Sequence, residues 1–277
     1  MTGGRMPEGP ELRYSRDFLR QSLVGKVITG IQRCPTGRYA NKPPVGFDAV
    51  ALGLPLRVES IDTHGKFMWW TLEGSDGIRW YMHCTYGMSG GWYKEADHHT
   101  CFFVEAGEDK VFFNDPRHFG TIKFVSNATD HAKKLRTLGP CIFDPGLTPE
   151  IFAKNVLRKP SRTIAEALMD QSAVAGVGNY LKAEILHRSR VSPWRKVTDV
   201  TAGEYLSLHA ETVACAESSY RSQGATIMTY RTPDGEEGEA QFDFQVYGQK
   251  TCPQGHEVRN EETPEGRTSW WCPECQK

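Results

Sequence analysis

The segment CPQGHEVRNEETPEGRTSWWCPECQK, from Cys252 onward, separates Cys252 from His256 by three residues and Cys272 from Cys275 by two. Zn2+ takes four tetrahedral nitrogen or sulfur ligands, and two close ligand pairs on two turns supply them. So short a segment cannot bury a core of its own, so a metal held there would drive its folding. Two unrelated turns with free thiols is the other reading. A second set of residues suits phosphate. In VAGVGNYLKAEIL, Gly176 and Gly178 stand just before an expected helix, where backbone N–H groups carry partial positive charge, and Asn179 adds an amide beside them. Plain capping explains the same turn. In NDPRHFG, Arg117 and Phe119 stand two apart, so on an extended segment they point the same way. A cation beside an aromatic ring suits stacking or wedging into nucleic acid; a hairpin end with a core Phe is the alternative.

The elements that must position these groups change period along the chain. KFMWWTL and IRWYMHC are apolar, aromatic runs around EGSDG, a hairpin turn composition, and CFFVE and KVFFN repeat the layout around AGED. Before them, ELRYSRDFLRQSL places Leu12, Leu19 and Leu23 near one face of a helix with Pro10 in its first turn. Later, LTPEIFAKNVL has Thr148 as N-cap and Pro149 at the first helical position. Thr201 and Glu204 form a capping box before a further helix. The helix begun at GVGN ends before Pro193. This predicts an α+β multidomain chain: a β domain over 6–130, a linker over 131–147 punctuated by LGPCIFDPG, a helical domain over 148–246, and a metal module over 247–277.

Composition narrows the class. With 277 residues the chain is long enough for a sizeable core without disulfides. A formal net charge of −1 gives no global attraction to nucleic acid, so any such contact must gather its Lys and Arg on one face. No run approaches the ~18 apolar residues of a membrane span, and no apolar signal segment opens the chain. The expectation is an intracellular protein without a membrane, in which Cys34, Cys84, Cys101, Cys141 and Cys215 are buried thiols in a reducing compartment.

MPEGPEL, THGKF, GMSG, NDPRHFG, LGP, LMDQ, GVGNYLKAEIL and GRTSWWCPECQ occur in the order found in the Fpg/Nei family of DNA glycosylases, which the chain resembles from Met6 to its end. The PEGPE form resembles the endonuclease VIII-like branch. The resemblance implies an N-terminal antiparallel β-sandwich with a flanking helix, a helix–two-turn–helix domain and a zinc-finger hairpin with one structural Zn2+. It further implies a monomer acting on damaged DNA in base excision repair, as glycosylase and AP lyase, in the cytoplasm and nucleoid or, in a eukaryote, the nucleus. Pro7 matches a nucleophile whose freed amine attacks C1′ of the damaged nucleotide. An α-amine titrates near ~8 against ~10.4 for lysine, so more of it is neutral at pH 7. A secondary amine yields an iminium, cationic without a further proton, which acidifies the neighbouring sugar C–H for elimination. Glu8 matches the acid that protonates the ring oxygen, and Glu11 a supporting carboxylate. Lys66 resembles the lysine that holds lesion phosphate and assists elimination, Asn179 the phosphate-binding Asn, and Arg267 the zinc-module arginine tied to δ-elimination. Met88, Arg117 and Phe119 resemble the residues that fill the gap when a nucleotide is everted.

The chain departs from the family pattern twice. His256 stands where a fourth Cys is usual, and imidazole is a competent Zn2+ ligand. MTGGR precedes Met6, and while it remains attached the nitrogen of Pro7 is an amide that cannot attack a sugar. The intact MPEGPE run motivates Met6 as the physiological start, trimmed to expose Pro7; removal of the leader by a protease, or a non-catalytic Pro7, are the other possibilities. The leading expectation is excision of oxidised bases, pyrimidines foremost, with oxidised purines and hydantoins also open, followed by β,δ-elimination. The competing readings are a non-catalytic binder of abasic or damaged DNA and a zinc-ribbon interaction module without DNA.

Overall fold

The computed structural model describes residues 7–226, 230–264 and 266–277. Met6 and the MTGGR run lie outside the described residues, as do residues 227–229 and 265. Helix α1 (Gly9–Leu23) carries Pro10 in its first turn and buries Leu12, Leu19 and Leu23, the face its spacing predicts. Nine strands and a short helix follow: β1 (Val27–Ile28), β2 (Gly30–Arg33), α2 (Phe47–Leu52), β3 (Leu56–His64), β4 (Phe67–Gly74), β5 (Arg79–Thr85), β6 (Gly91–Tyr93), β7 (Thr100–Ala106), β8 (Asp109–Asn114) and β9 (Thr121–Val125).

They form two antiparallel sheets, β1-β3-β4-β5-β9 and β2-β7-β8-β6. Both expected hairpins are present, with Trp70 opposite Met82 and Val104 opposite Val111. Large rings from the two sheets meet between them: Trp70 of β4 lies 5.0 Å from Trp92 of β6, and Trp92 5.3 Å from Phe113 of β8. Burying such rings supplies most of the driving force that holds two sheets face to face.

The second half is helical: α3 (Ala128–Arg136), α4 (Pro149–Val156), α5 (Ile164–Met169), α6 (Asn179–Arg188) and α7 (Ala202–Arg221). Helix α3 runs across the position where the linker is expected to begin. Thr148 and Thr201 cap α4 and α7 as their sequences predict. Two turns separate α5 from α6, and hairpin β10 (Arg259–Glu262) with β11 (Thr268–Trp271) closes the chain. This tail is not a free appendage. Cys252, Val258 and Cys272 belong to the same buried cluster as Phe152, Leu181 and Leu208 of the helices. The carboxylate of Glu184, on α6, accepts the N–H groups of Gln245, Val246 and Tyr247 at 2.8, 3.0 and 2.9 Å, seating the tail where it leaves the helices.

Candidate active site

The two halves meet at the start of α1. Gly9 N–H donates to Gly176 O at 3.0 Å. The Glu8 carboxylate, only 2 % exposed, accepts Gly178 N–H at 2.7 Å and Leu181 N–H at 3.3 Å on Oε2, and Tyr180 N–H at 2.9 Å on Oε1. A residue of the first half thus caps the helix of the second, satisfying amides that a helix start leaves without partners. The N–H groups of Gly178, Tyr180 and Leu181 are taken by a protein carboxylate rather than left for a phosphate. Glycine is required on both sides of the junction. A Cβ on Gly178 would lie 2.2 Å from Glu8 Cδ. Gly65, in the turn between β3 and β4, has φ +59° and packs so closely that a Cβ would lie 2.6 Å from Gly176 N. That contact brings the next residue, Lys66, to the junction.

Pro7 is buried beside Glu8. Glu11 is 1 % exposed, and its Oε2 accepts the Glu8 N–H at 2.7 Å, completing a capping box at the start of α1. Burial pushes the Glu8 carboxyl up to about 7; Lys66 opposes the rise, Glu11 adds to it, and the N–H groups of Tyr180 and Leu181 oppose it. Desolvation therefore outweighs the helix end and the ammonium together. Lys66 is half-buried and its ammonium is pushed down, again by burial first, against the pull of Glu8 and Glu11 and with the help of Arg267 and Lys182. A carboxyl that is half protonated near neutral pH and a lysine with a weakened hold on its proton, beside a proline, suit acid–base work.

The tail supplies the next groups. Asn179 Nδ2 donates to Thr268 O at 2.9 Å, tying the first residue of α6 to β11, while Asn179 Oδ1 is buried without a hydrogen-bond partner. Arg267 ends the turn between β10 and β11, its carbonyl accepting Thr263 N–H at 2.9 Å and Thr263 Oγ1 at 2.7 Å. Its guanidinium forms no ion pair among the described residues. Cys252, His256, Cys272 and Cys275 converge, with one ligand atom of each within 4.8 Å of all the others. Cys252 Sγ and Cys275 Sγ are 3.9 Å apart, and His256 Nδ1 and Cys275 Sγ 3.3 Å. Tetrahedral Zn–S bonds of about 2.3 Å place two sulfurs about 3.8 Å apart, so the donor set fits Zn2+.

Arg117 and Phe119 also come together beside the turn that carries Met88, though not as an extended segment would place them. Residues 116–118 form a turn in which His118 has φ +57°, and Arg117 reaches Phe119 by stacking, its guanidinium carbon 5.3 Å from the ring centroid. Buried Asp115 ties this turn to that of Met88: its Oδ1 accepts Ser89 Oγ at 2.7 Å, its Oδ2 accepts Gly120 N–H at 2.6 Å, and Ser89 Oγ accepts Arg117 N–H at 3.1 Å. Phe119 remains 51 % exposed at the tip. Sequence reasoning passed over Asp115, Gly65 and Tyr180. An Asp before Pro in a hairpin turn is a signal for the first; the others act only through contacts distant in sequence.

Comparison with known proteins agrees with this layout. Residues 6–122 match the formamidopyrimidine-DNA glycosylase N-terminal domain, and residues 138–231 match the formamidopyrimidine-DNA glycosylase H2TH domain. The formamidopyrimidine-DNA glycosylase of Exiguobacterium sibiricum is 30% identical over 98% of this chain and 99% of its own, and that of Thermus thermophilus is 30% identical over 98% of each. The crystal structure of the MutM (Fpg) protein from Thermus thermophilus superposes with a TM-score of 0.84 at 29% identity, covering 98% of both chains. The Lactococcus lactis Fpg, in complex with DNA containing an abasic site, shares the fold with a TM-score of 0.85 at 23% identity, covering 98% of this chain and 99% of that one.

Proposed function

Because the chain belongs to the formamidopyrimidine-DNA glycosylase family, we propose that it binds damaged DNA, excises oxidised bases and cleaves the resulting abasic site through a Schiff base to Pro7. The observation that carries this reading is the Glu8 carboxyl, buried beside Pro7 and pushed up to about 7, because ring opening needs an acid that still holds a proton at neutral pH. Pro7, once its amine is free, attacks C1′; the base leaves, and Glu8 protonates the ring oxygen as the sugar opens. The iminium acidifies the neighbouring sugar C–H, which gives its proton to water as the 3′ phosphate leaves with the electrons of its C–O bond. Lys66 and Asn179 hold the phosphate of the lesion, and Arg267 holds phosphate and assists the δ-elimination. Met88, Arg117 and Phe119 fill the space left by the everted nucleotide. Cys252, His256, Cys272 and Cys275 hold a structural Zn2+, which when bound clamps the hairpin and so fixes Arg267. The PEGPE start supports the endonuclease VIII-like branch and, with it, oxidised pyrimidines as the preferred lesions.

Borohydride trapping on an abasic-site oligonucleotide tests the reading, comparing the full chain with one that begins at Pro7. An adduct formed only by the Pro7 form is expected. Equal trapping by both, with the leader verified intact, assigns the chemistry to another amine such as Lys66. No adduct from either leaves a lesion-binding relative. Excision from duplexes carrying an oxidised pyrimidine or a formamidopyrimidine then ranks the lesions.

A further inference from the structure

The phenol of Tyr180 has no part in the chemistry above, yet it lies at the centre of the site. Its backbone N–H holds Glu8, while its hydroxyl donates to Glu11 Oε1 at 2.9 Å and lies 2.9 Å from Ser219 Oγ on α7. One residue therefore touches both buried carboxyl groups. Its ring is stacked on Phe244, with centroids 5.2 Å apart and planes at 28°, so the hydroxyl has little freedom to turn away. Besides the phenol, Glu11 accepts Ala225 N–H at 2.8 Å and Glu8 N–H at 2.7 Å.

We propose that Tyr180 is a positioning residue: by donating to Glu11 it keeps the negative charge there and leaves the proton on Glu8. The inference rests on the reading of Glu8 as the acid. Two carboxyl groups and one ammonium share this dry junction, and ionising one carboxyl makes it harder to ionise the other. A hydroxyl donor stabilises the ionised form of the group it faces. A negative Glu11 in turn makes ionisation of Glu8 harder. The charged or titratable groups acting on the pair are Lys66 from the β3–β4 turn, with Arg267 and Lys182 beside it, Tyr180 from α6, and Tyr230 from the segment that follows α7. Without its phenol donor Glu11 holds a proton more readily, its charge no longer opposes ionisation of Glu8, and Glu8 ionises at lower pH.

The test is Tyr180→Phe, which keeps the ring, with single-turnover base excision followed from pH 5.5 to 9 in the form of the chain that gives the borohydride adduct. The fall in rate on the alkaline side is expected to move down by about one pH unit, roughly tenfold in rate near pH 8, with little change near pH 6. Glu11→Gln is expected to shift the profile the same way, and Tyr180→Phe is expected to add nothing in that background. A uniform loss at every pH, or full additivity with Glu11→Gln, reduces Tyr180 to packing and overturns the proposal. Should Tyr180→Phe fail to fold, an unmoved alkaline fall in Glu11→Gln overturns it equally. A wild-type chain that excises nothing and traps nothing instead refutes the enzymatic reading itself, before any variant is compared.

Discussion

Replacing Glu8 by Gln separates the cost of burying this carboxyl from its chemistry. The side chain is 2 % exposed and its carboxyl is pushed from 4.5 in the unfolded chain to about 7 in the fold. Below pH 4.5 it is protonated in both states and the fold suffers no ionisation cost. As pH rises towards 7 the unfolded chain releases its proton and the folded one does not, so wild-type stability declines through this window and levels off above it. Taking about 1.36 kcal/mol per pH unit, the loss between pH 5 and pH 8 comes to about 2–3 kcal/mol. Gln does not titrate. Its amide N–H2 faces backbone donors at Gly178, Tyr180 or Leu181, which costs stability but by the same amount at every pH. Urea denaturation of both proteins at unit steps from pH 5 to 8 is therefore expected to show Glu8→Gln gaining on wild type by about 2–3 kcal/mol, or roughly 5–10 °C in Tm. A difference that stays flat over this range would refute the reasoning, because it would mean that the helix end and Lys66 overcome desolvation and hold Glu8 ionised throughout. Base excision by Glu8→Gln is expected to fall by about 10²–10⁴-fold, the usual worth of a positioned acid.

Gly65→Ala places a Cβ 2.6 Å from Gly176 N and 2.7 Å from Ala175 C at a left-handed φ, so a loss of about 3 kcal/mol or more is expected in denaturation, with Lys66 displaced and trapping reduced. Metal analysis is expected to give one zinc per chain, lost in Cys272→Ser; because Cys252, Val258 and Cys272 share the helical core, the Tm should fall along with DNA affinity. Phe119→Ala removes a half-exposed ring, so stability should change by no more than about 0.5 kcal/mol, while excision slows on duplex and not on single-stranded substrate, where no stack needs refilling.

The sequence by itself determined the local elements and the Cys–His quartet. The apolar face of α1, the caps at Thr148 and Thr201, and the hairpins around EGSDG and AGED depend on periods and turn chemistry within a few residues, and these hold in the fold. The ligand quartet was legible because soft ligands at such spacing have few other uses. Only the tertiary structure decided what the helix start at Gly178 binds. Its amides go to Glu8, 170 residues earlier in the chain, and no local pattern announces a cap supplied from that distance. The turn of Arg117 and Phe119 was equally hidden, since a non-glycine residue at φ +57° is held by what surrounds it, here the knot at Asp115. Glu8 reads in sequence as an ordinary acid at a helix start. Its raised affinity for a proton exists only because the two halves close over it, removing the water that would otherwise stabilise its charge.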